Sequence, residues 1–309
     1  MSPPPLILVS DHRGEGLEAS LAPLTDVGMK AEVTRRVRET YDRLADLEPD
    51  ALVLDPLVEG GHAELEHLKE ARGARGMPPV LLVVDGEHPE SGVAACAATG
   101  LDPYDVVHRG ARFDEYRLRI ERLVQWKQRG AELAELRHRA LHDDRTDLLR
   151  PRAFQQRLTE HFSAAERHKL DLALVLVDLD RFGAVNKRFD HTVGDRIIAK
   201  VGEAIRGSLR TEDVAGRLGG DEFAILLPYT KKVDAAHVTK RLRDRIRAAS
   251  GRFEGAGEII AVSASLGFET FDGHDLEGID ALRSHAEIAL RAAKRAGGDR
   301  GVYYRALQL

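Results

Sequence analysis

The run Arg217-Leu218-Gly219-Gly220-Asp221-Glu222-Phe223-Ala224-Ile225-Leu226-Leu227 sets two glycines and two carboxylates between apolar segments. Val214 and Ala215 before it and Phe223 to Leu227 after it read as strands, so the four polar positions form the tip of a β-hairpin. Without a Cβ, Gly219 and Gly220 let the turn adopt positive φ and let a bulky anion approach the backbone. Asp221 and Glu222 can hold hard divalent cations, which in turn hold phosphates. Such a turn also closes many hairpins for backbone reasons alone. An assignment to nucleoside triphosphate chemistry therefore depends on a second acidic segment.

That segment is Leu172 to Val177, apolar throughout, ending in Asp178-Leu179-Asp180. Strand alternation predicts Asp178 and Asp180 on one side and Leu179 on the other. Carboxylates at the end of a buried strand are costly without a partner, and a metal supplies one. Further on, Asn186 and Asp195 carry amide and carboxylate groups able to read the donor edge of a purine such as guanine.

Together these residues resemble the GGDEF family, the diguanylate cyclases, over roughly residues 142 to 305. The motifs run in the family's order: an opening segment Asp143 to Phe154, then Asp178-Leu179-Asp180-Arg181-Phe182 with Asn186 and Asp195, the signature, a strand Ala261 to Gly267, and a closing helix with Ala293-Lys294-Arg295-Ala296-Gly297. The resemblance implies condensation of two GTP into cyclic di-GMP and two pyrophosphates, each half-site holding one GTP. It implies two Mg²⁺ per site, with Mn²⁺ able to replace them, bound by Asp178, Asp221 and the Leu179 carbonyl. Asp221 and Glu222 become the catalytic acids, with Glu222 at the reacting 3′-hydroxyl. Gly219, Gly220, Asn186 and Asp195 become substrate contacts, and Lys294 a contact to the terminal phosphates. A branch making cyclic GMP-AMP is marked by Ser at the position of Asp195. A carboxylate accepts both donors of guanine's edge, which adenine lacks, so the product expected is cyclic di-GMP.

The chain departs from the family at four places. Gly183 and Gly298 stand where the family usually carries Lys and Arg, and Arg181, Arg295 or Arg300 are the available substitutes. In the opening segment, Asp147 replaces a Gly, and Arg150-Pro151 replaces Asn-Arg. Upstream of the signature, Arg210-Thr211-Glu212-Asp213 matches the family's RxxD inhibitory site for cyclic product. Arg241 falls where a second inhibitory arginine is usual, and guanidinium groups suit both phosphate and purine faces. The other reading of the domain is a non-catalytic sensor of GTP or cyclic di-GMP.

Residues 1 to about 112 show strands Leu6–Val9, Ala51–Leu54, Val80–Val84 and Val106–Val107 separated by helical stretches, which predicts a parallel sheet with helices on both faces. Pro49 to Pro56 resembles the third strand of response-regulator receiver domains, placing Asp55 at the phosphoacceptor position with Asp11 nearby. Ser10 stands in for one of the usual acid pair, Val84 for the switch hydroxyl, and Arg109 for the usual Lys. The two readings are a phosphorylated receiver served by a sensor kinase, and a pseudo-receiver used for dimerisation or docking. Residues 113 to 142 lack Pro and space apolar residues helically through Ile120, Leu123, Trp126, Leu133, Leu136 and Ala140. They predict a linker helix, either a short parallel coiled coil of a homodimer or a helix packed on its own domain. The fold expected is α/β: a flavodoxin-like receiver-like sheet (1–112), a linker helix (113–142) and a GGDEF domain with a ferredoxin-like α+β core (143–309).

Composition narrows the partners. A net charge of −5 without a basic stripe argues against nucleic acid. The single Cys96 excludes an internal disulfide and suits a reducing cytoplasm. No apolar run spans a bilayer, and Met1 to Pro5 lacks the basic start of a signal peptide. The 13 histidines read as scattered surface residues without metal-ligand spacing.

Overall fold

The computed structural model describes residues 3–57, 61–85, 89–189 and 191–308. Met1 and Ser2, where the reading of a signal peptide begins, lie outside them. The chain divides into two units, Met1–Glu135 and Leu136–Leu309.

The first unit alternates strand and helix: β1 (Leu6–Asp11), α1 (Leu17–Leu21), β2 (Lys30–Thr34), α2 (Val37–Asp46), β3 (Ala51–Asp55), α3 (His62–Arg72), β4 (Val80–Val84), α4 (Pro89–Ala98), β5 (Tyr104–His108) and α5 (Phe113–Leu141), whose residues from Leu136 on belong to the second unit. The sheet is parallel, in the order β2-β1-β3-β4-β5. That is a doubly wound order with its switch point between β1 and β3. β3 and β4 are buried along their whole length, and their side chains divide between two apolar layers. Val53, Leu81 and Val83 pack with α1 and the start of α5, while Leu52, Leu54 and Leu82 pack with α3 and α4. Sequence reading missed β2: Lys30-Ala31-Glu32-Val33-Thr34 is a half-exposed edge strand, polar enough to look like a loop. The first half of α5 buries Tyr116, Ile120, Leu123 and Val124 on the sheet, whereas Trp126, Leu133, Leu136 and Leu141 are about half exposed.

The second unit contains α6 (Pro151–His168), β6 (Leu172–Leu179), α7 (Phe182–Phe189), α8 (His191–Arg206), β7 (Val214–Gly219), β8 (Glu222–Pro228), α9 (Lys232–Ala248), the short pair β9 (Gly251–Arg252) and β10 (Ile259–Ile260), β11 (Ala264–Phe271), α10 (Ile279–Arg295) and β12 (Gly301–Tyr303). Its main sheet runs β12-β11-β6-β8-β7. Within it, β6-α8-β7-β8-α9-β11 form a βαββαβ unit of the ferredoxin-like kind. Both faces of β6 are covered, which explains its unbroken apolar run. Ala173, Val175, Val177 and Leu179 face α8 and α9, and Leu172 and Leu174 face α6 and α10. That parity decides where the acids at the strand end emerge. No helix among the described residues is long and apolar enough to cross a membrane.

Candidate active site

Asp178 continues the face of Leu172 and Leu174 and so emerges beside α10, where Lys294 forms an ion pair with it at 2.5 Å. Across the sheet, Asp178 lies in register with Glu222, the first residue of β8. The Leu179 amide donates to the Asp221 carbonyl at 3.2 Å, which ties the end of β6 to the hairpin tip. The tip needs glycine at residue 220, whose φ is 49°. A cavity of about 400 Å³ opens here, lined among others by Asp178, Leu179, Asp221, Arg181, Lys294 and Gly298. Glu222 and Lys294 also line a neighbouring cavity of about 280 Å³, with Glu287 and Arg291.

Burial pushes the Asp178 carboxyl above its ordinary range, against the pull of Lys294, and the charges of Asp221 and Asp180 push it the same way. A desolvated carboxylate in acidic company, with the partly exposed Asp221 carboxylate beside it, fits a hard divalent cation. Asp178, Asp221 and the Leu179 carbonyl are the residues that would hold it.

Asp180 does not share this role, and here the alternation expected from sequence fails. β6 ends at Leu179, and the Asp180 carboxylate, although it borders the same cavity, is taken up by the Ser263 and Ser265 hydroxyls, which donate to it at 2.8 and 2.7 Å, and by the Asp299 amide at 2.8 Å. Its neighbour Gly298 has φ 78°, and a Cβ there would stand 2.8 Å from Asp180 Oδ1. The uncharged residue at 298 therefore goes with a carboxylate that clasps the end of the closing helix. Of the three arginines named as substitutes, Arg181 lines the cavity. Arg295 reaches the Arg291 carbonyl and Arg300 the Gly298 carbonyl. Gly183, at the start of α7, lines the cavity with backbone alone.

Asn186 and Asp195 do not line that cavity. Asn186 on α7 presses against α8 at Gly194, where a Cβ would meet its Oδ1 at 2.0 Å, and that buried oxygen has no hydrogen-bond partner among the described residues. Asp195 pairs instead with Arg145 at 2.8 Å. Sequence reading missed Arg145, and it missed Arg217 as well. Arg217 is 9% exposed, contacts both carboxylate oxygens of Asp143 at 3.2 Å, and donates to the Gly220 carbonyl at 3.1 and 2.7 Å. It thus braces the hairpin tip against the opening segment. The available signal was a lone arginine inside an otherwise uncharged strand, Val214–Gly219.

On another edge, Arg210 and Asp213 close one loop through reciprocal backbone contacts: the Arg210 amide donates to Asp213 Oδ2 at 2.9 Å and the Asp213 amide to the Arg210 carbonyl at 3.2 Å. Burial raises the Asp213 carboxyl above its usual range, although the Arg210 amide and Arg241 pull it down. Arg241 on α9 donates to the Ser208 carbonyl at 2.8 Å, so the three residues named for inhibition are brought together.

The model of the GGDEF family, described as "Diguanylate cyclase, GGDEF domain", matches residues 140–300, more than half of the chain. The chain belongs to the GGDEF family. Every residue of the cavity just described lies inside that GGDEF match. Similar proteins include diguanylate cyclase DgcP of Pseudomonas aeruginosa, 35% identical over 168 residues, covering 54% of this chain and 24% of that protein. Diguanylate cyclase TpbB of the same species is 31% identical over 209 residues, 67% of this chain and 44% of its own. The chain thus spans less than half the length of either relative. Among solved structures, the coiled coil and GGDEF domain of DgcB from Caulobacter crescentus, in complex with c-di-GMP, superposes with a TM-score of 0.56 at 25% identity, covering 61% of this chain and 98% of that one. Diguanylate cyclase SiaD of Pseudomonas aeruginosa, in complex with its activator SiaC, superposes at 0.51 with 34% identity, covering 61% and 71%.

In the first unit, Asp11 and Asp55 stand in register on adjacent parallel strands. Asp11 accepts the amides of Gly14 and Glu18 at 3.0 and 3.2 Å. Asp55 is fully buried and is clasped by both terminal nitrogens of Arg109, with Arg13 3.9 Å away. Burial raises the Asp55 carboxyl above its usual range despite Arg109. Arg109 also holds Asp85 at 2.9 Å, so one guanidinium seals the carboxyl ends of β3 and β4.

Proposed function

We propose that the chain is a diguanylate cyclase, condensing two GTP into cyclic di-GMP and two pyrophosphates. The observation that carries this reading is the meeting of Asp178, Leu179, Asp221 and Lys294 on one cavity within a GGDEF domain. Divalent ions, when bound, supply activation of the attacking hydroxyl and neutralisation of the leaving group. In each half-reaction a 3′-oxygen forms a bond to the α-phosphorus of the other GTP, the α–β bridging bond breaks, and pyrophosphate leaves. Glu222, exposed beside the acids, takes the hydroxyl proton. Lys294, freed from Asp178, and Arg181 hold the phosphate tail, with the backbone amides at the start of α7 taking the place of the missing Lys at 183. Two such domains must face each other, since each cavity serves one GTP. The half-exposed Trp126, Leu133 and Leu136 of α5 are the surface that would pair them as a homodimer. Purified protein with GTP and Mg²⁺ should yield cyclic di-GMP; GTP binding without product would establish the sensor reading instead.

Guanine recognition is assigned to Asn186 and Asp195, whose carboxylate must first leave Arg145. Asp195→Ser is expected to raise the ATP-to-GTP incorporation ratio about tenfold, measured on products from an equimolar mixture. An unchanged ratio would remove Asp195 from base recognition.

Arg210, Asp213 and Arg241 form the product-inhibition site. Arg210→Ala is expected to raise the cyclic di-GMP concentration that halves the rate by about tenfold, the loss of one charge-assisted phosphate contact. If wild-type protein is insensitive to its product, the site has no such role.

The first unit is a pseudo-receiver used for dimerisation or for docking a regulatory protein. Arg109 fills the place where a phosphoryl group on Asp55 would need Mg²⁺ and a hydroxyl. Beryllofluoride with Mg²⁺, which mimics an aspartyl phosphate, should leave turnover within about twofold of its starting value. A several-fold activation would make Asp55 a working phosphoacceptor.

A further inference from the structure

The reading of the histidines as scattered surface residues needs correction at one place. His138 lies in the last turn of α5 and His142 directly follows the helix, its amide still donating to the His138 carbonyl at 2.8 Å, so the two side chains stay on one side, and Asp147 from the opening segment closes on them. His138 Nε2 is 2.7 Å from Asp147 Oδ1, His142 Nδ1 is 2.9 Å from the Asp147 carbonyl and 3.8 Å from its Oδ1, and the two rings stack with centroids 4.1 Å apart. Each residue offers one ligand atom, and the three atoms lie within 4.8 Å of one another. They border a cavity of about 440 Å³ with Arg139, Asp143 and Asp144.

We propose that His138, His142 and Asp147 form a binding site for a borderline divalent transition metal, with Zn²⁺ as the type ion. Two imidazoles and one carboxylate are a donor set that such ions favour, with a fourth position left to water. Mg²⁺, which prefers all-oxygen shells, binds it poorly. The backbone argues that the carboxylate is placed rather than incidental. Asp147 has φ 57°, a conformation that glycine adopts freely and side chains rarely do. In that conformation its carboxylate reaches His138.

An ion here joins the last turn of α5 to the opening segment of the same unit. From there the link continues inward: the Asp147 amide donates to the Asp143 carbonyl at 2.8 Å, and the Asp143 carboxylate holds Arg217, which holds the hairpin tip at Gly220. The ion therefore stiffens the segment between the helix and the acidic turn.

The test is a Co²⁺ and Zn²⁺ titration of the full chain in excess Mg²⁺, in an Asp178→Asn background that weakens the acidic cavity's own metal binding. One equivalent of Co²⁺ is expected to bind with the visible absorption of a low-coordinate, histidine-ligated ion, and Zn²⁺ is expected to displace it. Asp147→Gly and His138→Gln should each weaken binding at least tenfold. Asp147→Gly puts the residue best suited to φ 57° in place, so loss of binding there is not loss of folding. In hydrogen exchange, Zn²⁺ should slow the amides of residues 138–149 in the parent and not in Asp147→Gly. Absence of a stoichiometric ion in the parent, or affinity retained by either variant, would overturn the site.

Discussion

Asp178→Asn is expected to lower cyclic di-GMP synthesis by about three orders of magnitude, several kcal/mol of lost charge stabilisation at about 1.4 kcal/mol per decade. The metal-free variant should nevertheless melt at a higher temperature than the parent. Asp178 is 7% exposed. Burial above all, then the charges of Asp221 and Asp180, hold its carboxyl above the ordinary range even with Lys294 in contact. An acid whose folded-state pKa is raised binds its proton more tightly folded than unfolded, so its ionised form destabilises the fold. The penalty is fully present above the folded-state pKa and vanishes as pH falls through that value and the unfolded one near about 3.9. Asn carries no such penalty, and Lys294 at 44% exposure keeps its solvent. The melting-temperature gain should therefore shrink as the pH is lowered toward 4. Mg²⁺ should raise the melting point of the parent and not of the variant. Asp221→Ala should lose activity to the same degree with little change in stability, since it lies at a hairpin tip outside the apolar layers. Retention of more than about 1% of the parental rate by either variant would remove these acids from the reaction centre.

Arg217→Ala is the substitution expected to cost the fold most. Its guanidinium is only 10% exposed and faces an Asp143 carboxylate at 23%, and it is the side chain tying the opening segment to the Gly220 carbonyl. Removing one partner leaves the other charge half-buried and unmatched, about 3 kcal/mol. For a unit of this size that lowers the melting temperature by about 9 °C. Burial pushes the Asp143 carboxyl up, but the Thr146 hydroxyl and Arg217 outweigh it and hold it below the usual range. A lowered acid pKa contributes stability that is present above about pH 4 and is lost as pH falls through the folded value. The acid limb of the stability curve should flatten in Arg217→Ala. Arg217 touches no reacting atom, so it acts as a positioning residue. Turnover should fall about 10- to 100-fold through kcat, as when a supporting partner of a ligand is removed, with the KM for GTP little changed. Arg217→Lys, which keeps the charge but not the fork, should recover the stability in part. A melting point within about 2 °C of the parent would show that the brace carries little.

Local sequence was enough for the parts governed by local rules. Leu172 to Val177 is apolar on both faces because α6 and α10 cover one side of β6 and α8 and α9 the other. The glycines of the hairpin tip follow from a turn that needs positive φ at residue 220. The alternation in residues 1–112 reads directly as a parallel sheet, except at β2, where an edge strand keeps polar side chains in water and loses the pattern. The pairings made by distant residues were decided in three dimensions. Strand parity carries Asp178 to Lys294, 116 residues away. Two serines of the strand segment and the amide at 299 occupy the Asp180 carboxylate, although it stays at the same cavity as Asp178 and Asp221. Arg217 meets Asp143 across 74 residues, and Asp195 meets Arg145. His138 and His142 read in sequence as scattered surface residues, and only the left-handed turn at Asp147 brings a carboxylate to them. The physical reason is the same in each case. Apolar periodicity reports which face of an element is buried, whereas a charged side chain's partner depends on which elements the packing of those faces brings together, and that is settled only when the sheet and helices close on one another.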